Sequence, residues 1–459
     1  MLNDTIVAIV TPEGTGGLGA VRLSGPGARD IAARVFHCSE GSLSTSHMAV
    51  YGILKDVNTK QGAFDDVNEA IDQVIALPMW APRSYTGEDT VEFFCHGGTV
   101  VSRMVAAACR RAGARPATAG EFTRRAFLNG KLSLDQAEAV ADLIHAESET
   151  AARAAVRQLL GGLDKQLTQV ETPLLSLLAR VEGGLEFLDD EVPEVPAEEV
   201  AAVLRAALEG IDALLAMAPA GRLLRDGIHV VLRGKPNVGK SSLFNRLVEE
   251  DRAIVDDEAG TTRDVVSQRV TRAGRVYVLH DTAGLREARG RVEARGIERT
   301  AEAARQADII LDLDSGPGPV GGKEVQESPG EAIVLKVRTK ADLGDPAVPF
   351  GDAIPTSSVT GEGVQELWRR IADSVDRFAL DRAVRLGVVM NERHRHKLES
   401  SRRELARLLA EYADEACAPG NDVAGTLLAS ILAQLGEISG RVYSEHLLES
   451  VFSRFCVGK

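Results

Sequence analysis

The sequence predicts a multidomain α/β plus α protein: an N-terminal α+β domain, a helical bundle discontinuous in sequence, and a phosphate-loop α/β domain inserted into that bundle. Three observations predict it. Residues 1–120 alternate short β-like runs with glycine-rich turns. Alanine- and leucine-rich stretches of helical period stand at 121–220 and again at 381–459. Between them, 221–380 opens on an apolar strand that runs into G-x-x-x-x-G-K-S and a further helix. The ends of a domain tend to lie close together, so such an insertion is feasible.

In the first domain "TIVAIV" (5–10), "AVRLS" (20–24), "AVYGIL" (49–54) and "QVIAL" (73–77) read as strands. "TVVSRMVAAACRRAG" (99–113) reads as a helix that ends at Gly113. From Glu121 the texture turns to long packed helices, broken by the acidic, proline-bearing "LDDEVPEVPAEE" (188–199). A helix to about Met217 leads into the α/β pattern, which runs from Ile228 to about Ala379. Helices return at 391–415 and 422–438. "SGPGPVGGKEVQESPGE" (315–331) reads as a loop within the α/β domain.

A chain of 459 residues has room for two to four domains. No apolar run reaches membrane-spanning length, and no basic segment precedes an apolar one at the start, so a soluble protein without a signal peptide is expected. The net charge of −14 argues against a bulk nucleic-acid coat. Any nucleic-acid contact would use local patches such as Arg110–Arg115, Arg124–Arg125 or Arg393–Lys397, which read equally as solvated faces. The five cysteines are odd in number and lack C-x-x-C spacing, which fits a reducing, cytoplasmic compartment and no zinc site.

"IHVVLRGKPNVGKSSLFNRL" is the most specific stretch. Glycines let backbone N–H groups turn inward around phosphates, and the following helix points its positive end at them. Lys240 would reach the β- and γ-phosphates, and Ser241 would ligate Mg2+. "TKAD" (339–342) follows the strand "AIVLKV" and stands where guanine-binding proteins place N-K-x-D. Asp342 would accept both guanine N–H donors, which adenine cannot match. Thr339 in place of asparagine loses a side-chain amide. "TSSVTGEG" (356–363) would close over the base, with the Ser358 N–H on the guanine oxygen. "AGTTRD" would supply Thr262 to Mg2+, and "DTAG" would supply Asp281 to the outer metal shell and Gly284 to the γ-phosphate. Together these five signals predict a GTPase domain. Leu285 follows "DTAG" where a water-orienting glutamine could stand, so another residue must do that work. Asn237, inside the phosphate loop, could face a monovalent cation or simply stabilise the loop.

The set of motifs resembles the MnmE/TrmE family of tRNA-modifying GTPases over nearly the whole chain. The matching stretches are "DTIVAIVTPEGTGGLGAVRLSGP", "SYTGEDTVEFFCHGG", "GEFTRRAFLNGKLSLDQAEAVADLI", "GKPNVGKSSLFN", "AGTTRD", "DTAGLRE" and the closing "FCVGK". The resemblance implies a folate-binding and dimerising domain over 1–120, a helical domain over 121–220 and 381–459, and a Ras-like GTPase domain over 221–380. It implies a cytoplasmic homodimer that works with a flavin-dependent partner, MnmG or GidA, in a heterotetramer. That assembly would add a carboxymethylaminomethyl or aminomethyl group to the wobble uridine of tRNA. The implied cofactors are GTP, Mg2+, K+ and a 5-formyl- or 5,10-methylene-tetrahydrofolate.

Residues carry over motif by motif. Arg22, Glu92, Lys131 and Lys459 match the folate-contacting positions; a carboxylate suits the pterin amidine edge and cations suit the glutamate tail. Cys456 matches the tail thiol, which would attack or protonate an intermediate, or else pack inertly. The GTP-binding set is Asn237, Val238, Gly239, Lys240, Ser241 and Ser242; Asp256, Asp257, Glu258, Ala259, Gly260, Thr261 and Thr262; Asp281, Thr282, Ala283 and Gly284; Thr339, Lys340, Ala341 and Asp342; and Ser357, Ser358 and Val359. Mg2+ falls to Ser241 and Thr262, and K+ to Asn237, Asp256, Glu258 and Thr261. Glu293 matches the water-orienting glutamate, and Arg286 an activating switch residue. The chain departs from the family pattern at Thr339, at Gly425, Thr426 and Leu428, and at Arg289–Gly290–Arg291. The competing function is a regulatory GTPase switch in ribosome or RNA assembly, which would have no use for the "SYTGED" region or the terminal thiol.

Overall fold

The computed structural model describes residues 4–38, 42–57, 70–186, 195–249, 267–281, 307–316, 332–343, 351–413 and 419–459. The chain divides into two compact units, Met1–Ala141 with Gly436–Lys459, and Asp142–Leu435. Among the described residues no helix is long and apolar enough to cross a membrane.

The first unit is built on a sheet of seven strands. They are β1 (Ile6–Ile9), β2 (Leu18–Ser24), β3 (Phe36–His37), β4 (Val50–Lys55), β5 (Ala70–Met79), β6 (Thr90–His96) and β7 (Arg115–Pro116). Their order is β3-β4-β5-β6-β2-β1-β7, antiparallel except where β1 meets β7. Alternation puts Val21, Leu23, Val91 and Phe93 into a core with α1 (Ala28–Val35) and α2 (Thr99–Arg111). The same alternation leaves Arg22 of β2 beside its register partner Glu92 of β6. Helices α3 (Glu121–Leu128) and α4 (Leu134–Ile144) follow the sheet in sequence.

The second unit holds a six-stranded sheet: β8 (Ile228–Gly234), β9 (Ser267–Arg272), β10 (Arg275–Asp281), β11 (Ile309–Asp314), β12 (Ile333–Arg338) and β13 (Ile354–Pro355). The order is β13-β12-β11-β8-β10-β9, parallel except for the β9–β10 hairpin. Val230, Val231 and Leu232 are all buried in β8, as are Ile309, Ile310 and Leu311 in β11. Continuous burial of this kind is what a parallel sheet covered on both faces requires. Helix α9 (Lys240–Glu249) leaves the phosphate loop, and α10 (Val364–Val375) buries Val364, Leu367, Trp368 and Ile371.

Around this sheet in sequence run α5 (Glu149–Leu159), α6 (Gly162–Glu186), α7 (Ala197–Leu215), α8 (Ala218–Asp226), α11 (Leu380–Leu386), α12 (Glu392–Ala413) and α13 (Asn421–Ser439). α7 packs on both α6 and α12, and α11 packs on α5 and α8. The departures at 425–428 lie on α13. There Leu428 is fully buried, and the Cα of Gly425 faces Leu178 and Val181 of α6. Helix α14 (Glu445–Phe452) belongs to the first unit; it starts at Ser444, whose hydroxyl caps the Leu447 N–H, and it contacts α3.

Candidate functional site

Two sites stand out, one in each unit. In the second unit the loop from Gly234 to Ser241 joins the end of β8 to the start of α9, so the first N–H groups of α9 face the loop's hollow. Asn237 takes φ +62° and Gly239 φ +96°, the left-handed turns that bend the backbone inward. Lys240 is buried, and its ammonium donates to the carbonyls of Gly234 (3.0 Å) and Lys235 (2.8 Å). Ser241, Ser242 and Asn237 are exposed, and Val238 is buried. Asp281 ends β10 in register with Leu232 of β8, and it is 4% exposed.

The loop that follows β12 is tied to the phosphate loop by two side chains. Thr339 Oγ1 donates to the Val238 carbonyl, and Lys340 Nζ donates to the Asn237 carbonyl at 2.9 Å. The Thr339 hydroxyl thus joins the two loops from a buried position. Ala341 N donates to Thr356 O (3.1 Å), and Thr356 N donates to Arg338 O (2.7 Å), which brings 356–363 alongside 338–341. Ser357 is buried, and its backbone N–H donates to Glu362 O at 2.9 Å. Asp342 is exposed in the short 3-10 turn Ala341–Leu343, and Val359 is exposed at the rim of the facing loop. Asp256, Asp257, Glu258, Ala259, Gly260, Thr261, Thr262, Thr282, Ala283, Gly284, Arg286 and Glu293 lie outside the described residues.

The second site is in the first unit, where the closing residues of the chain lie on the sheet. Val457 bridges Ala119 in antiparallel fashion; Gly120 N donates to Cys456 O (3.4 Å), and Phe122 N donates to Lys459 O (3.2 Å). Phe452 and Phe455 are buried, with tilted rings whose centroids lie 5.5 Å apart, which anchors the turn into the tail. The Cys456 thiol is exposed. Arg22 Nε donates to Glu92 Oε1 at 2.7 Å. The Arg22 guanidinium lies 5.1 Å from the Tyr85 ring centroid and 5.5 Å from that of Phe122. Burial, and then the Arg22 charge, lower the pKa of the Lys459 ammonium, while Glu92 opposes them.

Arg22, Glu92 and Lys459 are therefore brought together. Lys131 donates to the Pro82 carbonyl at 3.1 Å, on the loop that carries Tyr85. Sequence reasoning passed over Tyr85 and Phe122, although both stand inside stretches it singled out, "SYTGED" and "GEFTRRAF". Tyr85 is held by its phenol against Thr123 Oγ1 at 2.9 Å, and burial raises its pKa. Arg22 Nη1 is buried and has no hydrogen-bond partner among the described residues. Arg22 thus holds an unspent donor between two rings and beside a carboxylate.

The arginine clusters are mostly engaged within the protein. Arg125 is 2% exposed and meets Asp4, Glu88 and Glu121. Arg115 pairs with Asp4 and Glu121, Arg111 with Asp56, Arg124 with Glu445, and Arg395 with Glu392 and Glu399.

Two family models match the chain. One, described as GTP-binding protein TrmE N-terminus, covers residues 5–131; the other, described as MnmE helical domain, covers 134–456. Curated relatives named tRNA modification GTPase MnmE are similar over their full length. That of Symbiobacterium thermophilum is 40% identical over 473 residues, covering 100% of both chains. That of Dichelobacter nodosus is 41% identical over 466 residues, covering 100% of this chain and 99% of the relative. That of Aquifex aeolicus is 37% identical over 464 residues, again covering 100% of both. Among solved structures, the FeoB G-domain from Methanococcus jannaschii aligns over 32% of this chain and 96% of its own at 21% identity, with a TM-score of 0.24 too low to carry weight.

Proposed function

Because the chain belongs to the MnmE family of tRNA modification GTPases, we propose that it couples GTP hydrolysis to a folate-dependent change of the tRNA wobble uridine. The observation that carries this reading is the meeting of Lys459, at the chain's close, with the Arg22–Glu92 pair. A plain GTPase switch has no use for such a pocket.

In the nucleotide site Lys240 neutralises the β- and γ-phosphates, and the α9 N-terminus adds its N–H groups. Ser241 and Thr262 would hold Mg2+, with buried Asp281 supporting the site. Asn237, Asp256, Glu258 and Thr261 would hold K+, which would supply positive charge where negative charge develops on the departing GDP. Glu293 orients the water that attacks the γ-phosphorus, the bond to the bridging oxygen breaks, and GDP leaves; Arg286 supports that arrangement. Asp342, with the Ser358 N–H, selects guanine.

In the second site Glu92 would bind the amidine edge of the pterin, while Arg22, Lys131 and Lys459 would hold the anionic groups of tetrahydrofolate. When bound, that cofactor supplies a one-carbon unit. Cys456, exposed on the docked tail, stands ready as nucleophile or acid. A second copy of the chain covers the sheet face where Tyr51 (62% exposed), Ile53 (37%) and Ile75 (45%) of β4 and β5 lie open. A flavin-dependent partner completes the chemistry on tRNA in the cytoplasm.

The test is wobble-nucleoside analysis of tRNA from cells that lack this chain. The modified nucleoside should vanish and return with a plasmid copy. Its persistence in the deleted strain would refute the reading.

A further inference from the structure

The hydroxyl proton of Thr339 is already engaged. Oγ1 donates to the Val238 carbonyl, and the Asp314 carbonyl lies 3.3 Å away on the other side. Both partners are carbonyls and can only accept. The side chain is 2% exposed, so it cannot swing out to solvent and free itself. A hydroxyl has one O–H donor, whereas an asparagine amide has two N–H donors. An asparagine here could hold Val238 with one N–H and offer the second to a ring acceptor of the base. Threonine has no second donor to offer. The neighbouring ammonium of Lys340 is drawn onto the phosphate loop, where one of its three N–H groups donates to the Asn237 carbonyl at 2.9 Å. The backbone N–H groups of Thr339 and Ala341 are likewise engaged, on Asp314 O (2.9 Å) and Thr356 O (3.1 Å).

Guanine shows two faces to such a loop: N1–H with the 2-amino group on one edge, and the N7 acceptor on the other. Resting on the reading that Asp342 takes the first edge, we propose that this chain leaves N7 unread. The departure at Thr339 keeps the tie between the two loops and gives up one point of base recognition. The nucleotide class it accepts is therefore wider than GTP alone: it includes guanine-type triphosphates with no acceptor at position 7.

The full-length protein tests this by competition against a fluorescent guanosine diphosphate. The competitors are GTP, 7-deaza-GTP and inosine triphosphate, which lacks the 2-amino group. The expected result is 7-deaza-GTP within about twofold of GTP, and inosine triphosphate at least tenfold weaker. A loss of about fivefold or more for 7-deaza-GTP, the worth of one neutral hydrogen bond, overturns the inference. If inosine triphosphate instead equals GTP, the Asp342 reading has failed and the inference falls with it. Thr339→Ser should behave as the parent does. Thr339→Asn should gain about a fivefold preference for GTP over 7-deaza-GTP. An unchanged ratio in a folded asparagine variant would place N7 out of this residue's reach and overturn the inference. Should that variant not fold, the parent protein's own ratio still decides.

Discussion

At Gly458 the backbone turns through φ +104°, and a Cβ there would lie 2.6 Å from the Ile9 carbonyl oxygen. Glycine alone meets both demands, and it does so between Cys456 and Lys459, whose carbonyls accept from Gly120 and Phe122. Gly458→Ala would cost about 1–3 kcal/mol in backbone strain, and the cheapest relief is to lift the tail off the sheet. We expect at least a tenfold loss of affinity for 5-formyl-tetrahydrofolate in equilibrium binding, with a melting temperature lowered by only about a few degrees. Parental affinity in this variant would separate the tail from the pocket. Single residues were legible in the sequence where a motif fixed them: Lys240 and Asp281 stand at the ends of α9 and β10 that their motifs imply. Tyr85 and Phe122 were not, because a ring stacked on a distant arginine leaves no local pattern.

Strands β8 and β10 carry a second, less obvious consequence of their pairing. They place His229 Nδ1 and His280 Nε2 3.1 Å apart, with the rings stacked. Burial first, and then the neighbouring His229, push the His280 imidazole down to about 4. His229 is lowered too, by burial, with Asp308 opposing and Arg222 assisting. The unfolded chain takes up these protons near pH 6.5. Between that pH and about 4 the unfolded state holds more protons than the folded one, so stability falls as pH falls and is fully present above 6.5. Glu121 is held to about 2, against burial, by Arg115, so its contribution is lost between pH 4.5 and about 2, below the span from pH 7 to 5. The melting temperature should therefore drop between pH 7 and 5, and His280→Phe should flatten the drop. An equal slope in the variant would remove the pair from the pH response. The parallel strands themselves were legible, since their apolar runs are continuous. The strand "TVEFFCH", which brings Glu92 to Arg22, was not, because only the register across β2 and β6 gives it meaning.

Over the whole molecule, 67 acidic residues face 53 basic ones, and the basic clusters visible in the sequence turn out to serve the fold. Arg125 is buried among three carboxylates, while Arg111, Arg115, Arg124 and Arg395 each hold acidic partners. Composition could show the excess of negative charge but not this pairing, which depends on residues such as Asp4 and Arg125 that are 121 positions apart. A polyanion approaching these clusters therefore meets arginines already held by carboxylates, within a net field of the wrong sign. Binding of tRNA by this chain alone should be weak, and above all insensitive to salt. A protein with six to ten phosphate contacts loses about 10³–10⁵ in affinity between 50 and 200 mM salt. Here the loss should stay under about tenfold, the slope of roughly one or two released counterions. Fluorescence-anisotropy titration of labelled tRNA at several salt concentrations measures it. A steep slope would mean that the acidic chain carries a dedicated phosphate-binding face of its own; a shallow one leaves most of the phosphate grip to another protein, such as the partner proposed above.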